Sequence, residues 1–213
     1  MVRVVLLDLG GTLVGPEGPF PHVEEALTAL TELDGSTGEP LLTALVSDFP
    51  AAEPPTPEGT QRRFAEYLAL LDGFGLRSFF EPVERRVTLS THAGVQKPDR
   101  RVYELALRRL GTDATLADCL VITEDAGHIA ACRALGMQTL RFGGDFDDWS
   151  QAPARVRTTV DPADRETALF ERSLQQHGQL APEGAPLPPG TSHRVERDEH
   201  GEPVVRRHRF SAY

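Results

Sequence analysis

The first 145 residues alternate between short apolar runs and longer stretches whose apolar positions recur every three or four residues. Residues 3–7 (Arg-Val-Val-Leu-Leu) form the first run, which ends at Asp8 and is followed by Gly10 and Gly11. A β-branched run of this kind, bounded by glycine, predicts a strand buried on both faces of a parallel sheet. Similar runs at 41–46, 86–90, 119–123 and 139–142 predict further strands. Between them, Val23, Ala26, Leu27, Leu30 and Leu33 place a helix over 22–33. A proline-rich, acidic loop at 49–60 leads to a second helix over 60–72. Asp99 suits the N-cap of a third, with Val102, Leu105, Ala106 and Leu110 on one face and Gly111 closing it. Ile129, Cys132 and Leu135 lie on a fourth, closed by Gly136. This alternation predicts an α/β fold, a doubly wound, Rossmann-like, mainly parallel sheet of about five strands.

The pattern changes after Gly143-Gly144. Residues 145–160 are predicted irregular, and 161–177 a helix opening at Asp161-Pro162, where proline suits the first turn. Residues 181–190 hold four prolines and two glycines, the composition of a linker. Residues 193–197 and 203–210 flank Asp198-Glu-His-Gly201 and predict a β-hairpin. The expected division is therefore an α/β core over 1–145 and a C-terminal helix-and-hairpin extension over 146–213, to which the sequence assigns no role. Phe146 and Trp149 are expected to tack that extension to the core. The hairpin offers a strand through which two copies would pair as a homo-oligomer.

Composition narrows the partners. The apolar fraction is 39% and the charged fraction 25%, both ordinary for a globular chain. A net charge of -10 argues against nucleic acid or an anionic membrane surface as the main partner. The two cysteines, Cys119 and Cys132, make neither a disulfide framework nor a zinc spacing. The opening apolar run meets Asp8 too soon for a signal-peptide core, and no stretch is long enough to span a membrane, so a cytoplasmic protein is expected.

In an open α/β sheet, ligands bind outside the carboxyl ends of the strands. Asp8 follows the first predicted strand, Ser47 the second, Lys97 the third and Glu124-Asp125 the fourth. Convergence of these groups on one edge predicts an active site there. His92 and His128 are read as solvated or packed rather than catalytic. His193, His200 and His208 are too spread to suggest a metal site.

These residues carry a resemblance. Asp8-Leu-Gly-Gly-Thr-Leu13 resembles the first motif of haloacid dehalogenase-like hydrolases, and Ser47 their second. Lys97-Pro-Asp is similar to the third, and Ile122-Thr-Glu-Asp-Ala126 to the fourth. The likeness covers roughly residues 3–142, about two thirds of the chain. It implies a magnesium-dependent phosphatase or phosphotransferase in which Asp8 attacks phosphorus and forms an aspartyl-phosphate. It further implies Asp8, the Gly10 carbonyl and Asp125 as magnesium ligands, with Glu124 as the alternative to Asp125. Ser47 and Lys97 would hold the phosphate, and Gly11 would let backbone N–H groups approach it.

The chain also departs from that pattern. Phosphatases of the family usually carry a second Asp two residues after the nucleophile, as general acid and base. Here the position is Gly10. Loss of such a group typically costs about a hundredfold to ten-thousandfold in rate. The fourth motif reads one residue short, and His128 stands near its expected second acid. Only residues 14–46 separate the first motif from the second, which predicts a capless or minimally capped molecule. Its phosphorylated substrate would then be a bulky small molecule or a macromolecule. A catalytically weak or inactive binding protein that uses its extension for a partner is the alternative. Carbon–halogen hydrolases share the missing Asp, but they carry a large cap.

Overall fold

A computed structural model describes residues 2–35, 38–53, 55–160, 170, 173–181, 191–197 and 203–207. They fall into two compact units, residues 1–161 and 162–213.

The first unit opens with β1 (Val4–Leu7), every residue of which is buried. A two-residue hairpin, β2 (Val14–Gly15) and β3 (Gly18–Pro19), leads to α1 (Val23–Thr31). β4 (Leu42–Ser47) follows, and then α2 (Pro57–Gly73). One-turn helices α3 (Val83–Arg86) and α4 (Ser90–Ala93) bracket β5 (Val87–Leu89). The remainder is α5 (Arg100–Leu110), β6 (Cys119–Thr123), α6 (Ala126–Ala134), β7 (Gln138–Arg141) and α7 (Ala152–Val160). The sheet runs β5-β4-β1-β6-β7, and all of its pairings are parallel.

Alternation along β1 explains the double winding. Val5 and Leu7 point into a core shared with α1, α2 and α7, while Val4 and Leu6 point into one shared with α5 and α6. Each face is thus covered by helices, which is why the strands read as unbroken apolar runs. Among the described residues, only the small hairpin and α1 lie between β1 and β4, with no inserted domain there.

The predicted elements recur with shifted ends. α2 begins at Pro57 rather than near residue 60, because Thr56 caps it by accepting a hydrogen bond from the Gly59 N–H at 3.0 Å. Asp99 and Gly111 bound α5 as expected. The stretch 145–160, expected irregular, differs most. It holds a short 3-10 turn, Trp149–Gln151, and α7. Phe146, Trp149, Ala152, Val156 and Val160 are buried in the sheet's own core, so these residues belong to the larger unit and not to an extension beginning at 146. The division of the chain accordingly falls at 161/162.

The second unit holds β8 (Leu180–Ala181), β9 (His193–Arg197) and β10 (Pro203–Arg207) in a sheet ordered β10-β9-β8. β9 and β10 form the expected antiparallel hairpin, with Arg197 opposite Pro203. β8 adds a parallel pairing beside β9. Of the predicted helix over 161–177, residues 170 and 173–176 are helical. Its remaining residues up to 172, the linker over 182–190 and residues 208–210 lie outside the described residues.

Candidate active site

The sheet order reverses between β1 and β6, so the carboxyl ends of these two strands flank the switch point where α/β sheets bind ligands. Asp8 leaves β1 there, and Thr123 ends β6. Lys97 arrives from the segment that follows α4, and its Nζ lies 2.5 Å from Asp8 Oδ2. Both side chains are nearly enclosed, with exposures of 6% for Lys97 and 11% for Asp8. An enclosed pair keeps its attraction because little water screens it, and either charge would be costly alone.

Hydrogen bonds fix the carboxylate. Asp8 Oδ1 accepts from the Leu9 N–H at 2.8 Å, and Oδ2 accepts from the Thr123 hydroxyl at 3.2 Å. The same hydroxyl lies 3.2 Å from Glu124 Oε2. One hydroxyl donates one hydrogen, so Asp8 and Glu124 compete for it. Thr12 completes the circuit. Its hydroxyl donates to Glu124 Oε2 and accepts from the Glu124 N–H. Trp149 holds this turn from behind, its indole N–H donating to the Thr12 carbonyl at 2.8 Å.

Glu124 and Asp125 part company here. Glu124 turns toward Asp8, whereas Asp125 caps α6 by accepting from the His128 N–H at 2.8 Å. That backbone hydrogen bond holds the Asp125 carboxyl below the usual carboxylate range. Gly11 has a role that its sequence context does not announce. A Cβ there would stand 2.8 Å from the Glu124 carboxylate, and its φ of 72° is one that only glycine adopts freely. Its own N–H is committed to the Val14 carbonyl at 2.8 Å, and both Gly10 and Gly11 are exposed.

Ser47 is buried as the last residue of β4, two positions beyond the pairing of Leu7 with Leu45. The Tyr67 hydroxyl approaches it without forming a well-directed hydrogen bond, and burial pushes the phenol's ionisation above its ordinary range. Lys97, Tyr103 and His128 line a small cavity behind Asp8. The structure therefore brings together Asp8, Lys97 and Glu124 and turns Asp125 to the helix. It adds Thr12 and Thr123, hydroxyls whose only signal in the sequence is their place beside Gly11 and Glu124. Among the described residues, no group of three or more His, Cys, Asp or Glu is placed to hold a metal ion. No helix among them is long and apolar enough to cross a membrane.

The chain matches no protein-family model and no curated protein. Among solved structures it is similar to an uncharacterized protein from Corynebacterium glutamicum, at 16% identity and a TM-score of 0.47, over 75% of this chain and 95% of that one. It is also similar to the L-2-haloacid dehalogenase from Xanthobacter autotrophicus, at 17% identity and a TM-score of 0.48, over 79% of this chain and 88% of that one. A HAD family hydrolase from Deinococcus radiodurans, solved with bound phosphate and sodium, matches at 19% identity and a TM-score of 0.45, over 81% of this chain and 97% of that one.

Proposed function

We propose that this protein is a haloacid dehalogenase-like hydrolase that cleaves phosphoric monoesters with magnesium, through a phosphoryl intermediate on Asp8. The observation that carries the reading is the enclosed Asp8–Lys97 pair at the switch point, with Glu124 joined to Asp8 through one hydroxyl. Asp8 Oδ2 has two side-chain partners and Oδ1 one backbone donor, so Oδ1 is the freer nucleophile. Its attack forms an Asp8 O–P bond as the P–O bond to the organic group breaks. The departing oxygen takes its proton from water, since Gly10 offers none. Water then attacks the same phosphorus, releasing inorganic phosphate and restoring the carboxylate. Throughout, Lys97 balances the charge on the phosphoryl oxygens, and the Ser47 hydroxyl donates a hydrogen bond to them.

Magnesium suits this donor set, which is all oxygen and contains the one or two carboxylates the ion usually takes from a protein. Asp8, Glu124 and the Gly10 carbonyl would hold it, with Asp125 as second choice to Glu124. The hydroxyl shared between Asp8 and Glu124 leaves one carboxylate short of a donor, a deficit that a cation relieves. When bound, the ion would supply positive charge to the phosphoryl oxygens.

A second reading makes the molecule a binding or regulatory protein with the same fold, and Gly10 is the feature that favours it. Hydrolysis of aryl phosphates by the wild type and by Asp8→Asn decides between the two. We expect magnesium-dependent turnover that falls by about a thousandfold or more in the variant. Matching rates would sink the nucleophile assignment, and a wild type without turnover would leave the binding reading.

A further inference from the structure

The carboxyl edge carries a second concavity next to the phosphoryl site. It is a cleft of about 330 Å³ between the loop that leaves β4 and the segment that leads into Lys97. Phe49, Ala51, Ala52, Thr91, Val95 and Gln96 stand in its walls, and none of its lining residues carries a charge. The cleft is continuous with the site along the chain, because Asp48 and Phe49 follow Ser47 directly and Gln96 precedes Lys97.

Hydrogen bonds brace the two walls against each other. The Ser90 hydroxyl accepts from the Phe49 N–H at 3.0 Å and donates to the Phe49 carbonyl at 3.2 Å. The Asp48 carboxylate accepts from the Lys97 N–H at 2.9 Å, so the same bracing that shapes the cleft also positions the backbone of Lys97. The Phe49 ring meets Tyr67 edge-on at 5.2 Å, which backs that wall with the core. Thr60, Ser90, Thr91 and Gln96 give the cleft neutral polar groups, of which the Thr91 hydroxyl is buried and has no hydrogen-bond partner among the described residues. A larger cleft, of about 540 Å³, is lined by Arg100, Glu104 and Arg108 but lies by residues 112–117, ahead of β6 and so at the other edge of the sheet.

We propose that the uncharged cleft receives the organic group of the phosphoester, and that this group is neutral, largely apolar and no larger than a single ring or a short chain. The inference rests on the phosphohydrolase reading for its phosphoryl end. The cleft's volume sits at the low end for ligand pockets, which start at roughly 300 Å³, so a compact group fills it. Its walls offer no opposite charge to a second phosphate or to an amine, so a charge moved there from water would go unpaired. An apolar group gains by leaving water in proportion to the area it buries.

Phosphonates test the cleft without requiring turnover, since their P–C bond is not hydrolysed. Calorimetric titration of the full chain in magnesium would compare methylphosphonate, benzylphosphonate and 2-aminoethylphosphonate. We expect benzylphosphonate to bind at least about tenfold tighter than methylphosphonate, and the amine to gain nothing. Ala52→Trp, or Ala51→Trp should the first variant misfold, fills the cleft and should bring the benzyl-to-methyl ratio close to one. A wild-type ratio near one, an equal gain for the amine, or a ratio that both variants preserve would overturn the proposal. Benzyl selectivity without hydrolysis of any phosphoester would sink the phosphohydrolase reading and leave the cleft assignment standing.

Discussion

At the ends of β1 and β6, Asp8, Lys97, Thr12, Thr123 and Glu124 are bound to one another through charge and hydroxyl groups. Past β4 and β5 the walls are uncharged, and the Thr91 hydroxyl has no hydrogen-bond partner among the described residues. The two halves of one sheet edge therefore answer to different forces. The first has its dipoles and charges arranged before any ligand arrives, which is the arrangement that favours charge developing in a transition state. The second offers area and shape, which discriminate between ligands by small increments per buried carbon. Changes of charge should be felt in the first half, and changes of volume in the second.

The largest expected gain comes from adding an acid to the charged half. A Cβ on Gly10 meets nothing within 4 Å, so the backbone there has room for a side chain to begin. Gly10→Asp should raise turnover of alkyl phosphates by about a hundredfold, because their poor leaving groups need a proton most. Aryl phosphates, which leave readily, should gain much less. Steady-state rates on one ester of each kind measure the contrast. A gain of equal size on both would mean that the new carboxylate acts through the metal or the fold rather than as an acid.

A smaller effect separates the two adjacent acids. Glu124→Gln should weaken magnesium binding by about 10- to 100-fold, as loss of a group that holds or orients a ligand typically does. Asp125→Ala should instead cost about 1 kcal/mol of stability through the lost cap of α6, with a lesser change in magnesium affinity. Calorimetry and thermal unfolding on both variants would read this, and the reverse ranking would return the metal to Asp125.

That pair also marks how far the sequence could be read. β1 and β6 were visible because strands covered on both faces are apolar at every position, and Asp8 was visible because it ends such a run. Ser47 ends the β4 run in the same way, whereas Lys97 stands beyond β5 and α4, past the end of any apolar run. The choice between Glu124 and Asp125 was not visible, since neighbouring carboxylates look alike until one of them caps a helix. An Asp followed by Ala126-Gly127-His128 at a helix start is the available signal for the cap. Gly11 reads as a phosphate-approach glycine, yet its space is taken by Glu124, a residue more than a hundred positions away. α7 escaped because Pro153 and the polar residues around it dilute a period that Trp149, Ala152, Val156 and Val160 nevertheless keep. Contacts of that range are set by the folded sheet, and local pattern does not contain them.

The smallest effect expected bears on the uncharged half, whose wall at Thr91 adjoins His92. The His92 Nδ1 accepts from the Leu89 N–H at 3.1 Å, and its ring meets Phe64 edge-on at 4.9 Å. Burial, and then the positive charge of Arg109, lowers the imidazole pKa to about 4. The unfolded chain takes up that proton near pH 6.5, so between pH 6.5 and 4 the unfolded state binds more protons than the folded one. Stability should therefore be complete above pH 6.5 and drain away as the pH falls toward 4. The ring is only partly buried, and with solvent screening the loss amounts to about 1–2 kcal/mol. Unfolding temperatures of the wild type and of His92→Gln across this range measure it. The wild-type curve should fall more steeply, because glutamine can serve the Leu89 N–H but takes up no proton. Parallel curves would mean that the histidine does not respond to acid in place, and that any acid sensitivity belongs to carboxylates, none of which lines the cleft.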